Sequence, residues 1–171
     1  MALPFIPTHT YNVNDWYWQV GGSTDQVFAS GRMAYVPVTD ATYVAWLATG
    51  KLATVIAEAR DLYDVLVQQW APNYVQTVEV QSTGTSALDG FYPMDAQTQA
   101  QITSIATSIT AGRGLPGGSS TFVFQGHVFN QTQFLNFATA VENYIYNFYQ
   151  ALGQIVLTGS GSLPSQPITM P

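Results

Sequence analysis

The chain has 171 residues, 47% of them hydrophobic and only 8% charged, with a formal net charge of -6, whereas soluble domains usually carry about 25% charge. Its four Lys and Arg residues cannot neutralise a phosphate backbone, which excludes a nucleic-acid binder, and a chain this apolar is not disordered. The lack of cysteine excludes disulfides, thiolate zinc sites and thiol catalysis.

Solubility then falls to Gln, Asn, Ser and Thr. No stretch reaches the roughly 18 apolar residues of a membrane helix, so no membrane insertion is expected. Residues 1–14 contain Pro4 and Pro7 and read as an extended arm, with neither the basic start nor the apolar run of a signal peptide.

Residues 15–72 read as a small module of β-sheet and helices. The aromatic run Trp16, Tyr17 and Trp18 favours a strand over 15–20. Glycine-containing turns then lead to strands near Val27 and over 33–38, an antiparallel meander. Strand alternation would put Trp16 and Trp18 on one face and Tyr17 on the other. Thr39 or Asp40 caps a helix running to Gly50, with Tyr43, Trp46 and Leu47 on one side. A second helix is expected over 54–70, with Val55, Leu62, Leu66 and Val67 inward and Pro72 ending it.

Residues 73–93 read as a strand over 74–80 followed by a polar linker, and 94–157 as a helical module. Asp95 caps a helix reaching Ala111, striped by Ile102, Ile105, Ala106 and Ile109. Residues 121–128 form a hairpin around Gln125 and Gly126. Asn130 and Gln133 have the spacing of a reciprocal capping box, with Phe129 and Phe134 as its hydrophobic staple. Phe134, Ala138, Val141, Ile145, Phe148 and Leu152 then recur at heptad spacing, in a helix of about 23 residues. This seam serves either the chain's own core, the favoured reading, or a contact between copies. Residues 158–171 read as a Gly/Ser/Pro-rich tail that only a partner would order. The fold class is α+β: an antiparallel β-meander with two helices, then a mainly helical half with one hairpin.

Little of this is catalytic material. His9 and His127 have no second ligand at metal spacing. Asp61 and Asp64 read as a solvated helix face, and Asp89 and Asp95 as turn and cap residues. Asn130-Gln131-Thr132 matches a glycosylation sequon but suits a cap better. No enzyme, metal or cofactor is expected. The candidate partner surface is Trp16, Tyr17, Trp18, Phe134, Val141, Ile145, Phe148 and Leu152.

Residues 35–50, Tyr-Val-Pro-Val-Thr-Asp-Ala-Thr-Tyr-Val-Ala-Trp-Leu-Ala-Thr-Gly, resemble a segment recurring in tail and tail-fibre-associated proteins of tailed bacteriophages. Gly90-Phe91-Tyr92-Pro93-Met94-Asp95, Gln99 to Ile102, Gly114-Leu115-Pro116-Gly117-Gly118 and the aromatic helix from Gln133 to Ile145 resemble the uncharacterised helical domain of phage fibre-associated proteins. The resemblance implies a structural virion protein of the tail, baseplate or fibre, made in the bacterial cytoplasm and assembled with other tail or fibre proteins. A homo-oligomer, with a trimer favoured, goes with a fibre. The alternatives are a fibre-assembly chaperone and a module binding host-surface glycans through Trp16 or Trp18.

Overall fold

A computed structural model describes residues 11–171. Most of the expected arm, and His9 with it, lies outside the described residues. The fold is α+β, and the chain divides into two compact units, 1–73 with 149–163 and 74–148 with 164–171.

The first unit is built on a four-stranded sheet in the order β3-β2-β1-β4. Strands β1 (Tyr17–Val20), β2 (Gln26–Ala29) and β3 (Ala34–Pro37) form the expected antiparallel meander. Helix α1 (Ala41–Leu47) follows, and then the reading of residues 54–70 as one helix fails. Strand β4 (Thr54–Ile56) pairs parallel with β1, Trp18 opposite Thr54 and Val20 opposite Ile56. Three consecutive β-branched residues lose rotamer freedom in a helix and fit a pleated strand, so local preference and sheet pairing agree. Val55 consequently points out, 69% exposed, instead of inward. Helix α2 (Ala59–Gln69) buries Leu62, Val65 and Leu66. Pro72 does not end the helical run but lies inside a short turn, α3 (Ala71–Tyr74). A proline is tolerated in a first turn because its missing N–H has no partner there.

Alternation along the strands divides the sheet's side chains. Tyr17, Val27, Ala29 and Val36 cluster with Tyr43 and Trp46 of α1. Trp18, Phe28 and Tyr35 take the other face, where α2 packs on β1 and β4. The Tyr35 hydroxyl there donates to the carbonyl of Val156 at 2.8 Å.

The second unit holds more sheet than expected. Strand β5 (Thr77–Ser82) pairs antiparallel with β6 (Gly90–Pro93) across the supposed linker. Helix α4 (Ala96–Thr110) starts on Asp95, whose carboxylate accepts from the Thr98 backbone N–H at 2.9 Å and hydroxyl at 3.1 Å. The hairpin of β7 (Thr121–Phe124) and β8 (His127–Asn130) turns on Gln125 and Gly126, at φ 50° and 85°. That pair of positive φ angles is the type I′ turn whose twist matches the strands.

Helix α5 (Gln131–Thr158) has 28 residues and is about 42 Å long. Its capping box is complete: the Asn130 N–H donates to Gln133 Oε1 and the Gln133 N–H to Asn130 Oδ1, both at 2.9 Å. The Phe129 and Phe134 rings lie 5.5 Å apart as the staple requires.

The tail is a correction as well. Strand β9 (Ile168–Met170) pairs parallel with β5, giving the order β6-β5-β9, and buries Ile168 and Met170. Gln166 fastens the approach. Its Oε1 accepts from the Glu79 N–H at 2.6 Å, and its Nε2 donates to the Tyr144 hydroxyl oxygen at 2.9 Å. The tail is therefore ordered by its own chain.

Two outcomes are expected. Met170→Ala should cost about 2–5 kcal/mol in chemical denaturation, as for other buried Met truncations; a tail outside the fold would give no change. Tyr92 is fully buried, and burial, with a smaller push from Asp89, raises its hydroxyl from 10.0 to about 12. A raised folded-state value favours the neutral form. The stability it contributes is thus complete below pH 10.0 and lost as pH rises through about 12. An alkaline absorbance titration should show Tyr92→Phe losing one late ionisation; loss of an early one near 10.0 would contradict this.

Candidate functional surface

The eight residues expected to form a partner surface are mostly interior. Tyr17, Trp18, Phe134, Val141, Phe148 and Leu152 are buried, Trp18, Phe134, Phe148 and Leu152 completely. Trp16 and Ile145 are half-buried. The seam on α5 is therefore a core stripe. Phe134 and Phe137 pack with Phe124, Phe129 and Tyr92 at ring separations of 4.6–6.3 Å. Farther along, Phe148 stacks on Tyr74 at 5.1 Å.

The aromatic run at 16–18 also departs from simple alternation. Strand β1 begins at Tyr17, and Trp16 precedes it, held by the Ser30 hydroxyl accepting from its backbone N–H at 3.0 Å. The Trp16 ring lies edge-on to Trp46 at 5.4 Å, packing against the cluster that contains Tyr17, and its indole N–H donates to Thr54 Oγ1 at 3.0 Å. Trp18, closed inside the first unit, presents no ring to a sugar. Its indole N–H and that of Trp46 are buried without a hydrogen-bond partner among the described residues.

The 35–50 segment that carries the phage resemblance forms β3, the cap and α1. Asp40 is its pivot. Its Oδ1 accepts from the N–H groups of Thr42 and Tyr43 at 3.0 and 3.1 Å, while Arg32 grips both carboxylate oxygens at 2.8 and 2.9 Å. Tyr43 and Trp46 point into the core, and Gly50 at φ 84° releases the chain from the helix. In the second segment Leu115 is a buried anchor within an otherwise exposed glycine loop.

Asp64, Asp89 and His127 of the remaining titratable candidates have structural partners. Asp64 lies 3.5 Å from Arg60, Asp89 Oδ1 accepts from the Ser82 N–H at 2.6 Å, and His127 Nδ1 meets the Ala87 carbonyl at 2.9 Å. Among the described residues no group of three His, Cys, Asp or Glu side chains is placed to hold a metal ion. Among the described residues no helix is long and apolar enough to cross a membrane.

What the sequence did not announce lies on the outside of the second unit. Val123 and Val128 face each other across the hairpin at 62% and 56% exposure, and Phe91 on β6 is 69% exposed. A groove runs between α4 and α5, from Gln99 and Tyr146 at one end to Ala111 and Leu135 at the other. Its two lobes, of about 560 and 220 Å³, share Thr103 and Glu142. Ala138, Val141 and Ile145 of the heptad stripe and Ile102 and Ala106 of the α4 stripe line this groove, so the periodicity marked its walls but not the opening between the two helices.

No protein-family model, curated protein or solved structure matches the chain.

The cap at Asp40 should make the first unit acid-sensitive. Arg32's hydrogen bonds, then the Tyr43 N–H, hold its carboxyl below the usual 3.8. A lowered folded-state value means that this contribution is complete above 3.8 and lost as pH falls through the lowered value. Asp40→Asn should lower the melting temperature at neutral pH, with the deficit narrowing on acidification. A deficit that stays constant with pH would show that the charge has no role.

Proposed function

We propose that the chain is a non-enzymatic structural component of a tailed-bacteriophage particle, in the tail, baseplate or fibre, acting through protein–protein assembly. The resemblance of residues 35–50 to tail-associated segments carries this reading. The side chains that make up that likeness, Asp40, Tyr43 and Trp46, hold a cap and a core together, as expected of a segment kept for its fold rather than for a reaction.

The character of the surface supports it. The outward residues of α4 include Gln97, Gln101, Ser104 and Thr107, and those of α5 Asn143, Asn147 and Gln150, all exposed and uncharged. The second unit also carries exposed apolar side chains, Phe91, Val123, Val128 and Tyr146. A neutral hydrogen-bonding surface with apolar points forms contacts that salt barely screens, which suits permanent assembly with other tail or fibre proteins.

Quantitative mass spectrometry of purified particles should find the chain in fixed stoichiometry with tail proteins. A chain bound to fibre protein in infected-cell extracts but missing from particles would instead make it an assembly chaperone. Absence from both would overturn a role in the particle altogether.

A further inference from the structure

The chain has three arginines, Arg32, Arg60 and Arg113, and they differ in how far the fold engages them and the peptide bond that follows. Arg32 donates from both terminal nitrogens to Asp40, and the next N–H, of Met33, donates to the Ser30 carbonyl at 3.2 Å. Arg60 lies in the first turn of α2 beside Asp64, and the N–H of Asp61 donates to the Glu58 carbonyl at 3.1 Å. Arg113 is exposed in the loop between α4 and β7, where its own N–H donates to the Ser108 carbonyl at 3.0 Å. Among the described residues its guanidinium has no partner, and neither has the N–H of Gly114 after it.

The loop around that bond is free to open. Gly112 and Gly114 flank Arg113 at φ 75° and 78°, and Gly117 and Gly118 follow at 74° and 70°. Within residues 114–119 the one backbone hydrogen bond runs from the Gly118 N–H to the Leu115 carbonyl at 3.1 Å, and Leu115 is the one buried side chain. Glycines pass from positive φ to the extended form that a protease binds at little cost, since they have no Cβ. Exposed loops of small residues are where proteolytic nicking concentrates.

The fold, by contrast, does not depend on this loop being continuous. Each compact unit takes residues from both sides of the bond, the first joining 1–73 to 149–163 and the second 74–148 to 164–171. Within the second unit β9 pairs with β5, and the Tyr92 ring of β6 lies 4.6 Å from Phe137 of α5. Within the first, the Tyr35 hydroxyl donates to the Val156 carbonyl.

We propose that the Arg113–Gly114 bond is a processing site, hydrolysed in the folded protein by an arginine-directed protease, and that the two products stay together as one nicked molecule. The unpaired guanidinium enters the acidic pocket with which such proteases grip arginine. Water is the co-reactant. The C–N bond breaks, Arg113 ends in a carboxylate, and the proton this carboxyl releases goes to the new amine of Gly114. The site stands independently of the particle reading, since it is tested on the purified chain alone.

Brief digestion of the native full chain with an arginine-specific endoprotease, read by intact-mass spectrometry, should give fragments 1–113 and 114–171 before any cut after Arg32 or Arg60. Size-exclusion chromatography in native buffer should elute both fragments together at the position of the uncut chain, and denaturant should separate them. Arg113→Gln removes a side chain that holds nothing else, so it should abolish this cut while leaving the circular dichroism spectrum unchanged. A first cut after Arg32 or Arg60, or a native chain that resists the protease, would overturn the proposal. Fragments that part in native buffer, or an Arg113→Gln chain cut as fast as the wild type, would overturn it too.

Discussion

Burial of the aromatic side of one helix is the constraint on which the two cores depend. Residues 131–148 of α5 supply Phe134, Phe137, Val141, Tyr144 and Phe148 to the second unit, and residues 149–158 supply Leu152, Ile155 and Val156 to the first. Each fully buried Phe or Leu contributes about 1.5–3 kcal/mol, and each well-placed ring pair adds about 0.5–1.5 kcal/mol. A stripe so consumed by the interior has nothing left for a neighbour. Contacts with other molecules must use other faces, and the outer sides of α4 and α5 are the broad neutral ones.

The scarcity of charge follows from the same division. With 8% charged residues, few ion pairs are available, and the fold leans on local hydrogen bonds instead. Asp40, Asp95 and Asn130 satisfy helix N-termini, and Gln166 joins β5 to the segment before β9. Among the described residues the one bidentate pair, Arg32 with Asp40, reinforces a cap.

Features set by neighbours in sequence were legible from the sequence. The Asp40 and Asp95 caps, the turn at Gln125 and Gly126, and the box between Asn130 and Gln133 all operate within a few residues. Features set by distant pairing were not. Thr54–Ile56 was read as the start of a helix because its parallel partner, β1, lies some 36 residues earlier. Ile168–Met170 was read as tail because its glycine and proline surroundings conceal a strand whose partner, β5, is far upstream. Trp16 was misplaced because alternation begins only where pairing begins, at Tyr17. The surface groove escaped for a related reason: periodicity marks apolar residues that line it, such as Ile102, Val141 and Ile145, but not how closely two helices distant in sequence meet.

The central claim is that the aromatic seam of α5 is internal to a single chain. Hydrogen–deuterium exchange followed by mass spectrometry, run across a wide range of protein concentrations, tests it most directly. Amides over residues 134–156 should be the slowest to exchange, and equally slow at the lowest concentration, where any dimer has dissociated. Protection that fades on dilution would place the seam between copies and contradict the account.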